Sequence, residues 1–235
     1  MGPPATSYRA VLLDVLGTLV ELEPPWPHLR RILHDRHGIE VSQQQARDAM
    51  LAEMAYYRAH HIEGRDAASL AALRRRCATV LRERLPAAEG LTIDELTEAL
   101  LDSLRFVPHA DAAPTLARLR AAGLRLAVVS NWDCSLGNVL AELGLAGALD
   151  AVIVSASTGA AKPDARIFHA ALEAVRCEPR QAVFVGDSPD VDVEGAQAAG
   201  LRALLLDRRR SPAGDGPWER IFSLAELPEL VTAGA

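Results

Sequence analysis

Between residues 25 and 104 the apolar positions recur every three or four residues, the period of a helix with one buried face. Stop and start signals divide this stretch into four helices. The first is expected over about 25–37, ending before Gly38. A capping box from Ser42 to Gln45 opens the second, which is expected to continue through about His60. The third starts near Asp66 and is stopped by Pro86, with Leu70, Leu73, Cys77, Val80 and Leu81 on one face and Arg74, Arg75 and Arg82 elsewhere. A second box, Thr92 to Glu95, opens the fourth, which buries Ile93, Leu96, Leu100 and Leu104. Four amphipathic helices in succession predict a small bundle.

After Val107 the pattern changes. Short β-rich runs occur at RLAVVS (125–130), DAVIVS (150–155), AVFVG (182–186) and RALLLD (202–207), joined by VLLD (11–14) near the start. Helical stretches such as AAPTLARLRAAG and DARIFHAALEAV separate the later runs. Strands alternating with crossover helices predict an α/β fold, a doubly wound parallel sheet with helices on both faces. The bundle is then an insertion after the first strand. The expected division is a core of residues 1–20 and 107–235 and an inserted helical domain of 21–106. SPAGDGP near 211 reads as a loop.

The chain has 235 residues, 49% of them hydrophobic, enough for one sizeable domain or a domain with a large insertion. Its three cysteines, Cys77, Cys134 and Cys177, are far apart and form no CxxC pair, which suggests neither a disulfide framework nor a zinc knuckle. With no long apolar run and no basic-then-apolar leader, no membrane partner and a cytoplasmic location are expected. The opening MGPPAT formally fits a myristoylation pattern, which its adjacent prolines weaken. A net charge of −6 argues against nucleic acid as a partner. Of the 25 basic side chains, all but Lys162 are Arg. A compact ammonium fits between carboxylates where a planar guanidinium does not.

Ligands of open parallel sheets bind at the carboxyl ends of the strands. Those ends carry Asp14, then Ser130 and Asn131, then the Lys162 segment, then Gly186, Asp187 and Asp192. Three carboxylates converging on one edge repel each other unless a cation holds them, and hard oxygen ligands suit Mg²⁺.

The four pieces DVLGTL (14–19), VVSN (128–131), Lys162-Pro163 and VGDSPDVD (185–192), in this order, resemble the haloacid dehalogenase-like hydrolase superfamily. The resemblance covers the whole chain and implies a Rossmann-like core with a mobile helical cap. It implies that Asp14 is the nucleophile and forms an aspartyl-phosphate. Ser130, with Asn131 and Thr18 beside it, would bind the transferring group, and Lys162 would neutralise the intermediate. Asp14, Asp187 and the backbone carbonyl of Leu16 would hold Mg²⁺, and Asp192 would hold Lys162 or a metal-bound water. The implied substrate is a small phosphorylated or halogenated metabolite, and the chain is expected to be a monomer or a homodimer.

Leu16 departs from the phosphatase pattern, which has a second Asp two residues after the nucleophile to protonate the leaving group and activate water. Such acid–base help is typically worth about 10² to 10⁴ in rate. Its loss predicts weak activity, or activity restricted to good leaving groups. Two alternatives fit a non-acidic residue here. One is carbon–halogen hydrolysis, in which a halide leaves without a proton; the other is a non-catalytic binding protein on the same scaffold. In the cap, Tyr56, Tyr57, Arg58, His60, His61 and Arg65 read either as a helix end packed on its two aromatic rings or as contacts to a leaving group. Trp132 reads as a pocket wall or as packing, and Arg208, Arg209 and Arg210 read as a solvated face.

Overall fold

β1 (Ala10–Leu13) is buried at every position, as expected of a strand covered on both faces of a parallel sheet. The computed structural model describes residues 8–210 and 216–232, so MGPPAT and most of SPAGDGP lie outside the described residues. The chain divides into two compact units: residues up to Glu21 together with those from Pro108 onward, and Leu22–Val107. β2 (Val20–Leu22) and β3 (Phe106–Pro108), where the chain passes between the units, pair as a two-stranded sheet. Both are too short to leave a period in the sequence.

The inserted unit consists of α1 (Pro25–His37), α2 (Gln43–His60), α3 (Ala67–Arg84) and α4 (Ile93–Ser103). In both expected capping boxes, Ser42–Gln45 and Thr92–Glu95, the side chains and backbone N–H groups bond reciprocally. A third box joins Asp66 and Ser69; its serine replaces the usual Glu or Gln, which hides it from the sequence. Each cap satisfies helix-end N–H groups. α2 packs on α3, and α1 and α4 complete the bundle around Leu29, Leu33, Met50, Leu73, Leu81 and Leu96. Val80, Ile93 and Leu104, expected in the core, are only half-buried. At the end of α2, Tyr56 and Tyr57 pack against this core. His60 stacks on Tyr56 with ring centres 4.0 Å apart, and the Tyr56 hydroxyl accepts from Arg76 Nε at 3.0 Å. One acid intrudes: Glu53 on α2 is 5% exposed, and desolvation raises its carboxyl above the usual range despite a hydrogen bond with Cys77.

The other unit continues through α5 (Ala112–Ala121), β4 (Arg125–Ser130), α6 (Leu136–Glu142), β5 (Ala151–Val154), the single turn α7 (Ser155–Thr158) and α8 (Ala165–Ala174). β6 (Ala182–Gly186), α9 (Glu194–Ala198), β7 (Arg202–Leu206), β8 (Glu219–Ile221) and α10 (Leu227–Thr232) follow. Six strands form a wholly parallel sheet in the order β5-β4-β1-β6-β7-β8. β8, three residues with two charges, gives no strand signal in the sequence. From β1 the chain builds outward through β4 and β5, then returns to add β6 on the other side of β1. That reversal opens a crevice at the carboxyl end of β1. Leu13 is level with Val128 of β4 and Val185 of β6, so the three strand ends lie side by side. Below them Phe168 and Phe184 pack edge to face, with ring centres 5.1 Å apart, in the core.

Among the described residues no helix is long and apolar enough to cross a membrane, and Cys77, Cys134 and Cys177 form no disulfide.

Candidate active site

Asp14 is the first residue beyond β1; its N–H donates to the Val185 carbonyl at 2.9 Å, which extends the β1–β6 ladder by one bond. The chain then folds into a tight loop in which the Val15 carbonyl accepts from the N–H groups of Thr18, Leu19 and Val20. Gly17 supports this turn with φ +88°, a conformation costly for any side-chain-bearing residue. A Cβ there would also overlap the Asp187 carboxylate. Leu16 projects from the same loop and is 37% exposed, whereas Val15 and Leu19 on either side are fully buried.

The Lys162 segment is fixed by Asn131. The Asn131 side-chain amide donates to the Lys162 carbonyl at 3.0 Å and its oxygen accepts the Lys162 N–H at 2.7 Å. Held in this way, the ammonium donates to Asp14 Oδ1 at 2.6 Å and Asp192 Oδ1 at 2.5 Å. It also lies 5.5 Å from the centre of the Phe184 ring, a cation–π contact beneath the two ion pairs. Asp192 sits on a turn of π-helix, Pro189–Val193, and its Oδ2 accepts the Ser188 N–H at 3.0 Å. Gly186 makes room for it: a Cβ at that position would overlap the Asp192 carboxylate. Gly195 lets helix α9 approach Pro163, whose Cα would be 2.9 Å from an added Cβ.

Two carboxylates therefore share one ammonium, and a third lies beside them. Oxygens of Asp14, Asp187 and Asp192 lie within 4.8 Å of one another. Desolvation, reinforced by the charges of Asp192 and Asp187, pushes the Asp14 carboxyl up to about 7 despite Lys162. Asp187 is open to solvent at the mouth while its carboxylate lies against Gly17; desolvation and then Asp192 raise it to about 6. Burial would lower the Lys162 ammonium, but the charges and hydrogen bonds of Asp14 and Asp192 outweigh it and raise it. An excess of buried negative charge with all-oxygen donors fits a hard divalent cation such as Mg²⁺.

Of the other expected residues, Ser130 ends β4 and is 2% exposed. Asn131 is engaged with the Lys162 backbone. Thr18 is fully buried with its N–H given to Val15, so it builds the loop and presents no surface to a ligand. Trp132 is 7% exposed and its backbone bonds Ser155 Oγ in both directions, which makes it part of the packing. The basic triplet is not a uniform solvated face. Arg209 and Arg210 are exposed, but Arg208 is half-buried and its guanidinium binds Asp111 bidentately, at 3.0 and 2.8 Å, while Nη2 also donates to the Thr18 carbonyl at 2.8 Å. Asp111 and Arg208 are 97 positions apart, and nothing in their local sequence signals the pair.

The profile of the haloacid dehalogenase-like hydrolase family matches residues 8–200. A mouse protein named haloacid dehalogenase-like hydrolase domain-containing protein 3 is 40% identical over 124 residues, 52% of this chain and 49% of that protein. A phosphoserine phosphatase from Thermus thermophilus is 39% identical over 137 residues, 57% of this chain and 55% of the relative. The match thus spans about half the length of each of these two relatives. A solved phosphatase of the same superfamily from Thermococcus onnurineus superposes with a TM-score of 0.66 at 28% identity, covering 95% of this chain and 97% of that one.

Proposed function

This chain belongs to the haloacid dehalogenase-like hydrolase family, and from that premise we propose that it is a Mg²⁺-dependent phosphohydrolase working through an aspartyl-phosphate on Asp14. The observation that carries this reading is the Lys162 ammonium bridging Asp14 and Asp192 beside Asp187. Once ionised, three such carboxylates need a further cation to balance them, and an anionic substrate needs it to approach them. Asp14, Asp187 and the Leu16 carbonyl would hold the ion, with Asp192 behind them. When bound, Mg²⁺ supplies positive charge that favours the ionised carboxylates and the phosphoryl oxygens brought next to them.

Asp14 attacks phosphorus in line, the bond from phosphorus to the ester oxygen breaks, and that oxygen leaves with its electron pair. Lys162 favours the ionised form of Asp14 and aims it through its 2.6 Å hydrogen bond. The Ser130 hydroxyl, at the end of β4, donates to the transferring group. A water oxygen then attacks the phosphorus, the bond to Asp14 breaks, and inorganic phosphate departs while a proton of that water passes to solvent. Leu16 provides no proton in the first step and no base in the second. Phosphoryl compounds whose leaving oxygen departs readily, aryl esters and the anhydrides of acyl phosphates and diphosphates, are therefore the favoured substrates. The phosphatase names of relatives support a small phosphorylated metabolite.

The test compares p-nitrophenyl phosphate, phosphoserine and a 2-haloacid, with Mg²⁺ and with EDTA, in wild type and Asp14→Asn. Expected are Mg²⁺-dependent turnover of the aryl ester, weak turnover of phosphoserine, loss of both in Asp14→Asn, and phosphate on the Asp14 peptide after acid quench. EDTA-insensitive release of halide would replace this reading with carbon–halogen hydrolysis, which Leu16 also permits. Silence towards all three substrates would leave a binding protein on this scaffold.

A further inference from the structure

The loop after the nucleophile is held from outside by a clamp that no motif marks. Thr18 turns its carbonyl away from the hydrogen bonds of its own loop, and Arg208 Nη2 takes it at 2.8 Å. Asp111, immediately before α5, grips the same guanidinium through both carboxylate oxygens. Asp111 also accepts from Ser223 Oγ at 2.7 Å and the Leu224 N–H at 2.9 Å. Burial would raise the Asp111 carboxyl, but the hydrogen bonds from Arg208, Ser223 and Leu224 hold it at about 2. Arg208 thus joins three parts of the sheet unit: the nucleophile loop, the start of α5 and the segment after β8. From the other side, the His109 N–H donates to the Leu19 carbonyl at 2.9 Å.

The arrangement is poorly suited to stability alone. Arg208 Nε, Thr18 Oγ1 and His109 Nε2 are all buried without a hydrogen-bond partner, and each such atom leaves its desolvation cost unrecovered. An apolar side chain at this position would carry no unpaired Nε, but it would leave the Asp111 carboxylate and the Thr18 carbonyl without the guanidinium they share. What the guanidinium supplies is direction: a planar fork fixed by one carboxylate orients the remaining N–H at a single carbonyl.

We infer that Arg208, aimed by Asp111, is a positioning residue for the nucleophile loop, fixing the Thr18 peptide and through it the Leu16–Gly17 turn between Asp14 and Asp187. It rests on the phosphohydrolase reading only for its kinetic consequence. A loop displaced by about 1 Å can lose 10²-fold in rate without weakening ground-state binding.

The experiment uses the full chain with Arg208→Ala, Arg208→Lys and Asp111→Asn, measured with p-nitrophenyl phosphate and Mg²⁺ and by amide hydrogen exchange. Expected for Arg208→Ala are a kcat lowered about 10²-fold with KM within about threefold. Arg208→Lys and Asp111→Asn are expected in between. Millimolar guanidinium is expected to restore part of the lost kcat in Arg208→Ala and none in Asp14→Asn. Exchange at the Leu19 and Val20 amides is expected to quicken while β4 stays protected. An Arg208→Ala protein with wild-type kcat and exchange overturns the inference, as does a rate loss that neither guanidinium nor lysine relieves and that tracks a fall in melting temperature. If the wild type hydrolyses no phosphate ester, the phosphohydrolase reading falls and the exchange of Leu19 and Val20 alone decides the clamp: acceleration upholds it and unchanged protection overturns it.

Discussion

The Lys162 ammonium lies 2.6 Å from Asp14 Oδ1 with both side chains almost wholly buried, and the same nitrogen reaches Asp192 at 2.5 Å. Removing one member of such a buried group leaves uncompensated charge, which destabilises by about 3–5 kcal/mol. Lys162→Met is expected to lower unfolding stability by this order at pH 8 and to abolish aryl phosphate turnover. Lys162→Arg is expected to fail as well, since a guanidinium is too broad for a place shaped around one nitrogen. Urea denaturation with parallel assays checks both; a Lys162→Arg protein at wild-type activity contradicts the assigned geometry.

Leu16 is exposed in a loop whose neighbours are buried, so its replacement disturbs little packing. Leu16→Asp is expected to raise phosphoserine turnover by about 10-fold or more, part of the 10² to 10⁴ available to a general acid and base. Aryl phosphate turnover, which needs little protonation, should change much less. Steady-state kinetics on the two substrates measure the difference. Equal gains on both, or none on phosphoserine, would remove Leu16 as the reason for a leaving-group preference.

The metal-free protein is expected to lose stability as pH rises from about 4 to 7. Asp14 and Asp187 are held at about 7 and about 6, above the ordinary value of 3.8. In that window the unfolded chain releases protons that the folded chain keeps, so the slope of stability against pH is negative. A cation bound by the ionised carboxylates reverses the trend, and the rise in melting temperature caused by millimolar Mg²⁺ should be larger at pH 8 than at pH 5. Melting curves at both pH values, with Mg²⁺ and with EDTA, decide this; an Mg²⁺ effect that is absent or larger at pH 5 contradicts it.

Glu53 gives a separate test in the helical unit. Desolvation raises its carboxyl above 4.5, so its burial opposes folding increasingly as pH rises above that value. Glu53→Gln keeps the shape without the charge and is expected to melt higher than wild type at pH 8, with the difference shrinking towards pH 4. A variant that is no more stable at pH 8 than at pH 4, relative to wild type, would show that Glu53 has a partner worth its burial.

Much of the architecture is legible in the chain because it follows from local periodicity. The four helices of the inserted unit and two of their boxes come from spacing alone, and the strands that lead to Asp14, Ser130 and Asp187 are apolar runs with clear ends. β8 escapes because three residues cannot show a period, and the Asp66 box escapes because serine closes it. The partly exposed Val80, Ile93 and Leu104 show the limit of a helical face read without its neighbours.

The candidate site divides the same way. The sequence by itself determined which strand ends carry acids, where the lone lysine stands, and that Leu16 cannot serve as an acid, because these depend on residue type and order. Tertiary structure alone decided that Asn131 holds the Lys162 backbone, that Thr18 is buried, that Gly17 and Gly186 clear space for Asp187 and Asp192, and that Arg208 leaves the surface for Asp111. Apart from Gly186 and Asp192, six positions apart on one turn, these contacts join segments far apart in the chain, set by sheet order and register. Hydrogen bonds and close approaches act over a few ångströms in space, a distance that spacing along the chain does not encode.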